Sequence, residues 1–107
     1  MKLEDIPASY IKDSVKYKDG TIIVFDEFCL PYDIISSAKE GVVFFDKENN
    51  LKWIVNHVEN QEFWQKTGDC FTGFFICNNE TVLGTFSGHS YNVDMENGIV
   101  SYREMSK

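Results

Sequence analysis

Apolar, β-branched and aromatic residues fall along this chain in short runs that come in pairs, and a brief polar turn divides each pair. The turns are Asp19-Gly20 and residues 47–50, 78–80 and 95–98. Side chains in a strand alternate between two faces, and Gly and Asn tolerate the positive φ of a tight reversal, so each pair reads as an antiparallel hairpin. The pattern predicts strands at 14–18 against 21–25, 42–46 against 51–56, 71–77 against 81–86, and 90–94 against 99–103. Only Ser87-Gly88-His89 separates the third hairpin from the fourth, so these two are expected side by side in a continuous meander. The fold class that follows is mainly β: an antiparallel meander of about eight strands forming a twisted sheet or half-barrel, with one or two short helices, in a single domain over residues 1–107.

Two stretches break the hairpin rhythm. Residues 31–40 carry Asp33 as an N-cap, Ile34, Ile35 and Ala38 on one helical side, and Gly41 as a stop, which predicts a short helix. Residues 58–68 place Phe63 and Trp64 among Glu59, Asn60, Gln61 and Glu62, a pattern that fits a helical turn as well as an ordered loop. Periodicity also sorts the strands. Leu51, Trp53 and Val55 alternate with Lys52, Ile54 and Asn56, and Tyr91 and Val93 alternate with Asn92 and Asp94, as in strands with one wet face. Residues 21–25, 42–45 and 74–77 are apolar on both sides and need cover on both faces, for which the Ile34 helix is the obvious source. Phe45 and Phe75, inside such strands, are expected to be buried.

Composition narrows the classes of partner. The 107 residues are 43% hydrophobic and 15% aromatic, enough for a packed core. Seventeen acidic residues against ten basic ones give a formal net charge of −7, which repels phosphate backbones and anionic lipid and attracts cationic proteins. Neither a nucleic acid nor a membrane is expected as a partner. Glu4, Asp5 and Asp13 interrupt the N-terminal stretch where a secretory signal needs an apolar run, so the protein reads as cytoplasmic. Cys29, Cys70 and Cys77 form no CxxC pair and read as reduced thiols packed as small hydrophobes. Asn79-Glu80-Thr81 matches a glycosylation sequon, a chance match in a chain read this way.

Candidate chemistry is sparse. His57 and His89 are the two imidazoles. His89 with Ser87 or Ser90 and Asp94 could supply a hydroxyl, a base and an orienting carboxylate, but almost any chain of this composition offers as much, and a turn histidine explains the position equally well. Residues 94–98 resemble the start of a calcium loop, yet the glycine comes one position early and the closing bidentate acid is missing. A hairpin turn with Asn97-Gly98 at positive φ accounts for all five. Zinc spacings and phosphate loops are absent from the sequence; no cofactor, metal or catalytic residue is assigned.

Charge distribution carries more. From Thr67 to Tyr102 there is no Lys or Arg, while Asp69, Glu80, Asp94 and Glu96 lie in that span and Glu59 and Glu62 precede it. An ordinary solubilising face would look the same. The functional reading is a docking surface for a cationic protein, built from Glu59, Glu62, Asp69, Glu80, Asp94 and Glu96 around aromatic anchors, of which Trp64 and Tyr91 are the candidates.

Small size, acidity, a hairpin frame rich in aromatics and no catalytic set give the chain a profile that resembles the immunity proteins of bacterial contact-dependent growth-inhibition and polymorphic toxin systems. The resemblance is one of profile, with no family motif to transfer residue by residue. It implies an inhibitor that binds and neutralises a cationic toxin such as a nuclease. The alternatives are a half-barrel carrier of a small hydrophobic ligand, with the doubly apolar strands lining its cavity, and a small enzyme using His89.

Overall fold

A computed structural model describes residues 1–26, 41–55 and 71–105. Eight antiparallel strands run in chain order: β1 Ile11–Tyr17, β2 Gly20–Phe25, β3 Val42–Phe45, β4 Leu51–Ile54, β5 Phe71–Cys77, β6 Glu80–Thr85, β7 His89–Val93 and β8 Val100–Met105. The eight-strand meander is therefore present, divided into two four-stranded sheets of order β1-β2-β3-β4 and β5-β6-β7-β8. The third and fourth hairpins are neighbours as expected, since β6 pairs with β7. Two short 3-10 turns, Leu3–Asp5 and Ala8–Tyr10, are the helical elements among the described residues. The helix expected around Asp33 and the helical turn weighed at residues 58–68 lie outside the described residues.

Turn chemistry sets the registers. Asn78 and Asn79, at φ 51° and 66°, form the two-residue loop that closes β5 on β6, with Cys77 opposite Glu80. This is the primed geometry that matches strand twist. The first hairpin differs from the sequence reading. Tyr17 pairs with Gly20, so the turn is Lys18-Asp19, with Lys18 at φ 52°, and Gly20 is the first residue of β2. Its role is close approach: a Cβ there would collide with the Phe44 ring and crowd the Phe45 carbonyl.

The sheets pack face to face over one core. Ile22, Val24, Val42, Phe44, Trp53 and Val55 from the first sheet meet Phe71, Phe74, Leu83, Tyr91, Val93 and Val100 from the second. Ring pairs fill this layer: Tyr17 edge-on to Phe74 at 6.3 Å, Phe71 edge-on to Tyr91 at 5.7 Å, and Phe44 stacked on Trp53 at 5.4 Å, geometries that add to area burial.

Strands β2 and β3 are buried on both faces, as their unbroken apolar runs require. Their second face carries Ile23, Phe25, Val43 and Phe45, and the described cover is the N-terminal segment, whose Ile6, Leu3 and Tyr10 pack there with Ile11, Leu51 and Ile54. That segment is pinned by backbone bonds. The Leu3 amide donates to the Asn49 carbonyl at 2.9 Å, the Leu51 amide to the Met1 carbonyl at 3.0 Å, and the Asp26 amide to the Tyr10 carbonyl at 2.9 Å.

Two face assignments are corrected. A bulge places Phe44 opposite Trp53 but Phe45 opposite Leu51. Lys52 is thus the extra residue, and Leu51 turns to the Ile54 side instead of alternating with Trp53 and Val55. In β5, Phe74 is buried but Phe75 is 46% and Ile76 57% exposed. The apolar run of residues 74–77 is not buried on both sides: Phe74 points into the core between the sheets, whereas Phe75, the next residue of the strand, points away from the opposing sheet and stands half-exposed. Phe45, at 0% exposed, is core as expected.

Candidate functional site

The meander brings both hairpin tips of the second sheet to the same end. Val82 pairs with Asn92 and Val93 with Val100, so the Asn78-Asn79 turn and the loop of residues 94–99 lie side by side. Glu80, Asp94 and Glu96, all exposed, gather there, together with Ile76 and Ile99, which is 42% exposed. Three of the carboxylates singled out in the sequence therefore share one edge of the molecule. Glu59, Glu62, Trp64 and Asp69 lie outside the described residues.

Tyr91 is not an exposed anchor. It is 5% exposed, on the inner face of β7, where its ring lies against Phe71 and, at 5.5 Å, against Tyr102. The same alternation that places Val93 in the core places Tyr91 there.

The loop of residues 94–99 is built by its own polar groups. Asp94 Oδ1 accepts the Glu96 amide at 2.9 Å and Asn97 Oδ1 accepts the Ile99 amide at 2.9 Å. The Gly98 amide donates to the Asp94 carbonyl at 2.7 Å. Of the Asn97-Gly98 pair only Gly98 has positive φ, 77°. The loop is also tied to the first sheet: Trp53 Nε1 donates to the Met95 carbonyl at 2.8 Å, and the Trp53 ring lies so close over Gly98 that a Cβ would overlap it. A carboxylate spent on a turn amide is a hairpin device, and among the described residues no group of three or more His, Cys, Asp or Glu side chains is placed to hold a metal ion.

Folding also changes the charge balance that sequence distance suggested. Arg103 Nε donates to Glu80 Oε2 at 3.1 Å, and Lys52 Nζ lies 3.7 Å from Glu96 Oε2. To reach Glu80 on β6, Arg103 on β8 must lay its side chain across β7. Its guanidinium also approaches the Cys77 thiol, Nη2 to Sγ 4.0 Å. The tip is thus a mixed surface of paired carboxylates, Asp94 and exposed isoleucines.

His89 and its candidate partners are dispersed. Its Nδ1 is 3.2 Å from the Tyr102 hydroxyl. Asp94 lies at the far end of β7, about 16 Å away at ~3.3 Å per residue. Ser90 is buried on the opposite face of the strand, and the Ser87 hydroxyl is 3.3 Å from that of Thr85. The sequence reading missed the other exposed apolar groups: Phe86 at 79% and Tyr102 at 50%. For Phe86 the signal was its position immediately before the Ser87-Gly88 turn.

No helix among the described residues is long and apolar enough to cross a membrane. No protein-family model matches this chain, and searches of characterised proteins and of solved structures find no match either.

Proposed function

We propose that this protein is an inhibitor of the immunity type, which binds and neutralises a cationic toxin, such as a nuclease, through the hairpin tips of its second sheet. The observation that carries this reading is the gathering of Glu80, Asp94 and Glu96 with the exposed Ile76 and Ile99 at one end of the sheet. Apolar anchors rimmed by carboxylates suit a basic partner: the acids raise the encounter rate and the anchors hold the complex once water is expelled. The net charge of −7 adds a long-range field of the same sign.

Further support comes from the distribution of exposed apolar groups. Among the described residues six large hydrophobic side chains stand exposed, and apart from Met1 they belong to the second sheet and its turns: Phe75, Ile76, Phe86, Ile99 and Tyr102. A surface with no partner has little reason to concentrate them there.

The test is capture from the native cell on the immobilised chain at low and high ionic strength, with the captured protein then expressed alone and with this chain. The reading expects a basic protein whose capture weakens with salt, which arrests growth alone and is tolerated when co-expressed. Capture of no basic protein, or a captured protein that is harmless alone, overturns it.

A further inference from the structure

Four strands flank these sheets, and three carry a device that discourages or replaces pairing. β1 turns Lys12 and Lys16 to solvent and has a bulge between Ile11 and Asp13. β4 is capped by the N-terminus, through the Lys2–Asn50 bridge and the bonds of Met1 and Leu3. β8 carries a bulge at Arg103. Charges, bulges and covering segments are the usual means by which edges avoid one another. β5 lacks them over its second half. From Phe71 to Asn79 there is no charged residue and no proline, the bulge at Thr72 lies at the start of the strand, and among the described residues nothing pairs with the outward side of Phe74 to Cys77.

Hairpin geometry fixes which groups that edge presents. In a two-residue primed turn the closing residues exchange both hydrogen bonds, so Cys77, and Phe75 two positions back, point their N–H and C=O toward β6. Phe74 and Ile76 therefore point theirs outward. An incoming antiparallel strand must set its own outward pair against these two.

We propose that the occupant of this edge is β5 of a second copy of the chain, paired antiparallel about a two-fold axis at Phe75. In that register each Phe74 lies opposite the partner copy's Ile76, with both residues of each pair hydrogen-bonding outward, and the two Phe75 rings face one another across the axis in a non-hydrogen-bonded pair, where side chains approach most closely. Exposed Ile76 gains a neighbour on the face that buries Phe74. Charge permits the pairing as well. Glu80 pairs with Cys77, two residues along the strand from the axis and one strand to its side, so the two Glu80 positions lie about 20 Å apart at ~3.3 Å per residue and ~4.8 Å per strand, more than twice the ~8 Å screening length at physiological salt. The interface is isologous and closes as a dimer. It covers Phe75 and Ile76, the latter shared with the proposed inhibitor surface, and leaves Asp94, Glu96 and Ile99 open; a test on the purified chain alone separates its failure from that of the inhibitor reading.

Sedimentation velocity of the purified chain over about two decades of concentration, reaching several hundred micromolar, tests this, since so small an interface supports only a weak dimer. The expected result is a doubling of mass with concentration, abolished in Ile76→Lys and retained in Phe86→Lys, an exposed apolar site away from the edge. Phe75→Cys, in a chain with Cys29, Cys70 and Cys77 replaced by serine, reports the register: oxidation should give a disulfide-linked dimer. A chain that stays monomeric throughout, or a dimer that survives Ile76→Lys and is not cross-linked through Phe75→Cys, overturns the proposal.

Discussion

The two sheets are built from the same hairpin grammar and end in different states. The first buries both faces of its central strands: Ile22, Val24, Val42 and Phe44 point at the other sheet, and Ile23, Phe25, Val43 and Phe45 lie under the N-terminal segment. Its edge strand is guarded by lysines. The second sheet shares the core through Phe71, Phe74, Leu83, Tyr91, Val93 and Val100, but among the described residues it holds nearly all the exposed large apolar side chains, and its edge strand β5 is uncharged. The contrast assigns stability chiefly to the first sheet, and under the proposed function recognition falls to the second. An apolar residue is informative about function where the fold had the means to bury it and did not.

The sharpest test of that division is a pair of truncations at residues the sequence treated alike. Phe45→Ala empties a site with no solvent contact and should cost about 3–5 kcal/mol, whereas Phe75→Ala, at a half-exposed edge position, should cost less than about 1 kcal/mol. Urea unfolding of both variants measures the difference. Equal losses would erase the distinction between the sheets. Ile6→Ala probes the cover of the first sheet: at 6% exposure its truncation should cost about 2–4 kcal/mol, and a negligible loss would mean that the N-terminal segment does not seal that face.

Gly98→Ala tests the joint between the sheets. It forces a side chain into positive φ and against the Trp53 ring, so a loss of about 1–3 kcal/mol is expected, with a shift in Trp53 fluorescence as the local readout. The smallest effect belongs to Glu80→Gln. It removes the charge that pairs with Arg103, whose side chain is 20% exposed against 48% for Glu80, and should cost no more than about 1 kcal/mol in thermal unfolding. A larger loss would make the tip part of the folding core.

Strand number and order were legible because they depend on local signals. Asn and Gly mark reversals, and period-two alternation marks faces, as at Tyr91 and Val93. What failed depended on neighbours distant in sequence. Phe75 reads as core from its own run, but alternation turns it away from the opposite sheet, and its burial depends on what covers the outer face. The chemistry of Tyr91 suggests an anchor, but its alternation with Asn92 and Asp94 turns it inward with Val93. The acidic span looked free of positive charge because Arg103 lies one residue beyond it and Lys52 belongs to the other sheet. Asp19-Gly20 looks like a turn pair, although what Gly20 supplies is room for the Phe44 ring. For the candidate site, Glu80, Asp94 and Glu96 were identifiable as acids without basic neighbours, and their meeting at one end follows only from the meander.

The claim that recognition belongs to the second sheet is tested most directly by the dissociation rate of the captured basic partner from two surface variants, compared with the unaltered chain. Ile99→Lys, at the hairpin tips, should speed dissociation about tenfold or more, and Ser14→Glu, on the exposed side of β1, should leave it within about twofold. Fast release from Ser14→Glu together with unchanged release from Ile99→Lys would place recognition on the first sheet and contradict the account.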